Sequence, residues 1–387
     1  MTRQERDSCL RGARILFVFN NLELGGAERQ GLMLARFLRE RYAADVRILG
    51  LHEAPGRLSQ LCDQAGLPWK GIRVSWQWGL RHVFTNLREL QRIAAALRQE
   101  KPDLLLPYTF FPNVVCGLVW RCTGAKLCIW NQRDEGRFLE PEPWRGLASR
   151  LTPYFLANSE DGREALLHAF AVSPDKIAVV PNGVVLDPPL ADRREWRERL
   201  NLADDVFAAC MVANIHEYKD HPTLLRAWRS LADLLPQGVP APVLLLAGRV
   251  DHGEFVHDLA ASLGLNDCVR FLGAIGDVAG LLRAVDLCVH SSRTEGLPNA
   301  VLEAMASGLA VVATDIPGIR EAVGGDGYRF LVPAGDPQAL AELIAKFIRE
   351  PALCRTLGER MRMRVSELFD ANASCLKVAG FIEGRWP

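Results

Sequence analysis

Two successive series of short, mainly apolar runs, separated by helical patterns, constrain this 387-residue chain more than any other feature. The first series is ARILFVFN (13–20), DVRILGL (45–51), PDLLLPY (102–108), AKLCIW (125–130), YFLANS (154–159) and IAVVPNGV (177–184). A half-exposed strand alternates polar and apolar residues. A strand covered on both faces is apolar throughout, as parallel strands between helical layers are. AERQGLMLARFLRERY (27–42) has the helical period and completes a βαβ unit with the runs on either side. VLDPPLADRREWRERLNLADD (185–205) then brings a Pro pair and a dense charge cluster with no strand, which places a linker near 186–190. The series resumes with VFAACMVAN (206–214), VLLLAG (243–248), VRFLG (269–273), DLCVHSS (286–292), LAVVATD (309–315) and YRFLVP (328–333). The length exceeds one ordinary core and suits two domains. The expected class is α/β, with two doubly wound domains, 1–186 and 187–369, facing each other across a cleft. The last helical segment, about 370–387, is expected to pack back on the first domain.

Composition removes several alternatives. Formal net charge is zero and no basic tract occurs, so no nucleic-acid partner is expected. The charge is uneven: residues 1–186 carry 25 Lys and Arg against 19 Asp and Glu, and residues 187–387 carry 21 against 27. A basic half suits anionic lipid or an anionic substrate, and chance produces the same asymmetry. The start, MTRQERDSCL, has no apolar core, and no apolar run approaches bilayer length, so a cytoplasmic protein is expected. Ten dispersed cysteines, without a CxxC pair or His partners at ligand spacing, read as buried thiols in a reducing compartment.

Open α/β sheets bind ligands beyond the carboxyl ends of their strands, so the loops there hold the candidate residues. LGGAERQ (24–30) follows the first run, and its Gly25 and Gly26 allow close backbone approach to a helix start that suits phosphate. It is neither GxGxxG nor a Walker loop, and a plain tight turn would look the same. In VANIHEYKDHPTLL (212–225), Lys219 stands in a polar loop just before a helix, where a cation can hold a diphosphate or simply meet solvent. His216 and His221 beside it read as packing residues. SSRTEGLPNAVLEAMASG (291–308) ends a strand and opens a helix, with Pro298 expected in the first turn. Glu295 lies just outside that helix and Glu303 about one turn inside it. Two carboxylates along one edge can bind paired hydroxyls of an extended ligand such as a sugar nucleotide, or be surface charges. TDIPGIREAV (314–323), with Gly318 and Glu321, is a fourth loop of the same kind.

EGLPNAVLEAMASGLAVVATDIPGIREAV, with Glu295 and Glu303 at E-x7-E spacing, resembles the signature of the retaining family 4 glycosyltransferases, which have the GT-B fold. GGAER, ANSEDGR (157–163), VVPNGV (179–184), YKDH (218–221) and VRFLG follow the family order, so the resemblance covers nearly the whole chain. It implies a nucleotide-sugar donor, most often a UDP- or GDP-sugar, held mainly by the second domain. By that resemblance Lys219 and Glu295 are the catalytic pair. Lys219 would neutralise the diphosphate with help from Gly25 and Gly26, Glu295 would meet hydroxyls of the transferred sugar, and Glu303 those of the ribose. Gly296, Leu297, Pro298 and Asn299 would line the sugar and diphosphate. Two departures stand out. The arginine usual a few residues before the motif lysine is missing from VANIH, leaving Arg249 or Arg320 as substitutes. The histidine usual on the acceptor side is missing from PYTFFPN, where Tyr108 and Asn113 stand, with Arg133 and Asp134 of NQRDEGRF as further acceptor-side candidates.

The resemblance implies transfer of a sugar with retention to a saccharide or lipid-linked saccharide, and the expected setting is cell-surface polysaccharide or glycolipid biosynthesis. No D-x-D occurs in the chain, so no metal or other cofactor is expected. Peripheral contact at the inner membrane face through the basic half would fit a lipid-linked acceptor. A nucleotide-sugar epimerase and a non-catalytic nucleotide-sugar-binding protein share such an architecture.

Overall fold

The computed structural model describes residues 8–137, 139, 142–250 and 255–387. The polar start read for a leader lies mostly outside these residues. The chain divides into two compact units, one running up to Gly183 and resuming at Ala371–Pro387, the other Val184–Asp370.

The first unit holds β1 (Arg14–Phe19), β2 (Asp45–Gly50), β3 (Trp69–Gly71), β4 (Leu104–Pro107), β5 (Leu127–Gln132), β6 (Tyr154–Ala157) and β7 (Ile177–Val179). They form one parallel sheet in the order β3-β2-β1-β4-β5-β6-β7. Every residue of β4 and β5 is buried, which is why their sequences show no polar alternation. Helix Gly26–Tyr42 turns Leu32, Leu34, Ala35 and Leu38 into the core. The C-terminal helix Ala371–Glu383 packs beside it, burying Cys375, Val378, Ala379 and Ile382. Two sequence motifs meet here: the Gln30 side chain donates to the Gly183 carbonyl (2.7 Å) and accepts from its N–H (3.2 Å).

The second unit holds β8 (Ala208–Val212), β9 (Val243–Ala247), β10 (Val269–Gly273), β11 (Leu287–His290), β12 (Ala310–Thr314) and β13 (Leu331–Val332), again all parallel, in the order β10-β9-β8-β11-β12-β13. The charge cluster near 192–199 is a helix, Arg193–Arg199. Its start is closed by Asp192 accepting from the Glu195 N–H (2.9 Å) while Glu195 accepts from the Asp192 N–H (3.0 Å). Buried Arg197 donates to the carbonyls of Ala284 (3.1 Å) and Val206 (2.7 Å), so this charge serves the interior.

The doubly wound α/β class expected from the sequence is the class found. The edge strand β3 was not expected, because WKG is too short and too polar to stand out as an apolar run. One cysteine reading needs correction: Cys122 is exposed and Cys9 and Cys268 are half-buried, while the other seven thiols are buried. Each sheet reverses its strand order once, between β1 and β4 and between β8 and β11. Loops at such a reversal splay apart and leave a crevice at the carboxyl edge.

Candidate active site

In the second unit, the crevice between β8 and β11 is bounded by the two loops that carry Lys219 and Glu295. After β8 the chain makes a single tight turn, Glu217–Lys219, in which the Lys219 N–H meets the His216 carbonyl (3.0 Å). Asp220 then takes φ 48°, ψ 45°, and starts helix His221–Leu234 by accepting from the Thr223 N–H (3.3 Å) and hydroxyl (2.8 Å). The loop after β11 is stitched onto this turn. Ser291 donates to the Lys219 and Asp220 carbonyls (3.0 Å each), the Arg293 N–H meets the Tyr218 carbonyl (2.8 Å), and the Arg293 guanidinium pairs with Asp220 (2.9 Å). Residues 76 positions apart are thereby held together.

The result is a direct ion pair between Lys219 Nζ and Glu295 Oε1. The same oxygen accepts from Ser292 Oγ (2.8 Å) and faces His290 Nε2 (3.0 Å), and His290 Nε2 also lies 3.0 Å from Ser292 Oγ. Glu295 is 9% exposed and His290 1%. Burial alone would raise the Glu295 pKa. The charge of Lys219, the hydrogen bond from His290 and the Lys219 hydrogen bond outweigh it and hold the carboxyl well below its ordinary range. Burial pushes His290 down, with Glu295 only partly restoring it, so His290 is neutral and its Nε2–H points to the carboxylate. His221, close by, is pushed down to about 3 by burial first and then by its neighbours His290 and Lys219.

Glu295 leads directly into the helix Asn299–Ala306, with Gly296, Leu297 and Pro298 buried between them. Pro298 is the N-cap residue rather than a residue of the first turn; Asn299 takes that place. Glu303 follows one turn in, half-buried. The N–H groups of this helix start lie between the two carboxylates. The loop is pinned from the far side by Gly318, where a Cβ would stand 1.5 Å from the Gly296 carbonyl oxygen and 2.7 Å from that of Glu295. Of the two arginines considered as substitutes for the missing one, Arg320 is held by Asp315 (2.6 Å to one oxygen). Arg249 follows β9, beside β8, with its N–H on Asn214 Oδ1 (3.2 Å).

In the first unit, Gly25 and Gly26 open helix Gly26–Tyr42, and the Gly25 N–H is taken by Glu28 Oε2 (3.1 Å). Tyr108 is fully buried at the end of β4. Arg133 stacks over its ring (4.8 Å) and donates to its hydroxyl (3.3 Å), to Asn131 Oδ1 (3.2 Å) and to Asn182 Oδ1 (3.2 Å). Asn113 is 1% exposed, and both ends of its amide bond the Asn131 main chain (2.8 and 3.0 Å), so the side chain ties helix Phe110–Val119 to β5. Asp134 accepts from Gln132 (2.7 Å) and the Gly136 N–H (2.8 Å), and burial lifts its pKa to about 6. The structure thus gathers Tyr108 and Arg133, but turns Asn113 and Asp134 to local bonds. Among the described residues, no group of three or more His, Cys, Asp and Glu is arranged to hold a metal ion.

His290 and Ser292 were not singled out from the sequence. Their signal is a polar HSS triplet ending a buried strand, three side chains that need partners inside.

Anabaena Alr3699/HepE, solved in complex with UDP and glucose, superposes with a TM-score of 0.81 over 96% of this chain and 100% of that one, at 23% identity. The fold is therefore the expected GT-B fold. Residues 24–188 match Glycosyltransferase Family 4 and residues 192–364 match Glycosyl transferases group 1, and the chain belongs to this glycosyltransferase family. The D-inositol 3-phosphate glycosyltransferase of Streptomyces avermitilis is 32% identical over 225 residues, 55% of this chain and 48% of the relative. The putative glycosyltransferase EpsD of Bacillus subtilis is 32% identical over 209 residues, 53% and 52% of the two chains. The chain spans about half the length of the curated relatives it matches.

Proposed function

We propose that the chain transfers a sugar, with retention, from a UDP- or GDP-sugar to a saccharide or lipid-linked saccharide acceptor. The observation that carries this reading is the Lys219–Glu295 pair at the strand-order reversal of the second sheet, directly ahead of a helix start. A cation and the positive end of a helix suit a diphosphate, and the neighbouring carboxylate suits sugar hydroxyls. UDP in the Anabaena neighbour makes UDP-sugars the first donors to try.

The difficult step is departure of the nucleoside diphosphate from an oxocarbenium-like sugar. Lys219 and the N–H groups before Asn299 would meet the charge that grows on the leaving oxygen, in place before reaction and shielded from water. Glu295 would orient the transferred sugar and Glu303 the ribose. The leaving phosphate takes the acceptor's proton, so no protein nucleophile enters. With Lys219 supplying charge compensation, the reaction is proposed to run without a divalent metal.

A lipid-linked acceptor is favoured by one surface of the first unit. Phe84 is 82% exposed and Leu87 45%, one helical turn apart, with exposed Arg81 and Arg88 beside them. No acidic residue occurs between Asp63 and Glu89, and Glu89 itself is buried against Arg92 (2.7 Å). An apolar tip ringed by arginine suits the headgroup layer of an anionic membrane, which supports a proposed location at the inner membrane face.

The test is thermal stabilisation and nucleotide release across UDP-, GDP-, ADP- and TDP-sugars with EDTA present. One donor class should stabilise the protein and slowly release its nucleoside diphosphate. Glu295→Gln should lower turnover by about a hundredfold or more. Lys219→Ala should do likewise and also lower the melting temperature, since it strands a buried carboxylate. Undiminished turnover in both variants would remove the pair from the reaction. Free sugar appearing with inverted ring stereochemistry would mean epimerisation instead.

A further inference from the structure

The Lys219–Glu295 pair sets a problem for the reaction proposed above. When a diphosphate arrives, it competes for Lys219. A carboxylate that depended on the lysine alone would then be free to turn. Glu295 does not depend on it alone. Its Oε1 also faces His290 Nε2 at 3.0 Å and accepts from Ser292 Oγ at 2.8 Å. Every bond to the carboxylate from a described residue falls on Oε1.

We propose that His290, with Ser292, is a positioning residue that fixes the Glu295 carboxylate through Oε1 and so keeps Oε2 presented to the hydroxyls of the donor sugar after Lys219 has turned to the diphosphate. This rests on the donor site proposed above. The geometry supports it on three counts. His290 is the last residue of β11, and its neighbour in β12 is Ala313, so its ring is set by a sheet rather than by a mobile loop. The ring is 1% exposed and Ser292 is fully buried, so neither side chain reaches the ligand; both act through Glu295. Ser292 is fixed in turn, because its carbonyl accepts from the Thr314 hydroxyl at the end of β12. Ring Nδ1 has no partner. The single proton of a neutral ring therefore belongs on Nε2, where Glu295 accepts it.

The arrangement gives Glu295 a directional hold without a second positive charge. A buried cation in place of His290 would compete with the sugar for the carboxylate. A neutral N–H bonds one oxygen and leaves the charge available to the other.

The proposal separates sugar from nucleotide, and the experiment reads that separation. His290→Leu removes the donor atom at similar bulk. His290→Gln returns an N–H to nearly the same place, and Ser292→Ala removes the second bond. Affinity is measured for UDP-glucose and for UDP, or for the pair the donor panel selects, with kcat and KM beside them. His290→Leu should weaken the nucleotide sugar or lower kcat by about tenfold or more, with UDP affinity within about twofold. His290→Gln should recover most of the loss, and Ser292→Ala should show a smaller loss with the same sugar-only signature. Wild-type kinetics in His290→Leu would overturn the proposal. Equal losses for UDP and UDP-glucose would also overturn it, since they would mean a general structural role. If His290→Leu does not fold, Ser292→Ala and His290→Gln carry the same reading. A wild-type protein that binds no nucleotide sugar would instead sink the donor site itself, a result distinct from either.

Discussion

His221 begins the helix behind Lys219, is 1% exposed, and bonds no partner through either ring nitrogen. Its pKa falls to about 3, from burial first and from its neighbours His290 and Lys219 next, with Asp220 pulling the other way. Unfolded, the same ring titrates near the ordinary histidine value of about 6.5. Between those values the unfolded chain binds the extra proton, so folding stability rises with pH across that window. The contribution is complete above about pH 6.5 and is lost as pH falls toward about 3, at up to about 1.4 kcal/mol per pH unit. His290 adds to the loss with the same sign. Melting temperature followed between pH 7 and pH 4 should therefore fall steeply, and His221→Gln should flatten part of that slope. A slope unchanged by the substitution would show that His221 is not what titrates. The sequence made this histidine look like a packing residue, and its side chain is indeed packed. What a single sequence could not reveal is that His290, 69 positions on, shares its pocket. Such neighbours are produced by the sheet, not by local spacing.

At the scale of elements, the strands were legible because burial on both faces leaves an unbroken apolar run. β4, β5, β9, β11 and β12 read directly from that rule. β3 did not, being three residues at a sheet edge. Which loops meet was not legible at all, because strand order is not written in periodicity. The reversal between β8 and β11 unites Lys219 with Glu295, and the close approach of Gly318 fixes the loop between Glu295 and its helix. Gly318 has an ordinary backbone conformation, so its need is for space alone. Gly318→Ala should push the Glu295–Gly296 main chain outward, costing roughly 1–3 kcal/mol of stability. Donor affinity should drop by about tenfold or more as the carboxylate moves. Denaturant melts and donor titration check this. Unchanged donor affinity in a folded Gly318→Ala protein would mean the loop is not set from that side.

At the scale of the whole molecule, charge asymmetry in the sequence hinted at a surface partner but could not locate it. The structure concentrates the hint at Phe84, Leu87, Arg81 and Arg88. No helix of the described residues is long and apolar enough to cross a membrane. Wild-type protein should sediment with phosphatidylglycerol-containing vesicles and be released as salt rises. Arg81→Glu with Arg88→Glu should weaken that binding by about tenfold or more. Phe84→Asp with Leu87→Asp should abolish the part that survives salt, with melting temperature unchanged. Equal sedimentation of wild type and both double variants would move the contact elsewhere.

The chain passes from the first unit to the second at Gly183–Val184 and returns at Asp370–Ala371. On one side of these passages the Val184 N–H bonds the Phe369 carbonyl (2.9 Å) and Val184 pairs with Asp370. On the other, a Cβ on Gly183 would stand 2.6 Å from the Ala371 Cα. Exit and return therefore run side by side, and the second unit is a cassette whose two ends meet at one place. A gene encoding such a chain can trade the cassette at two junctions that lie side by side in the fold, leaving the remainder of the first unit as it was.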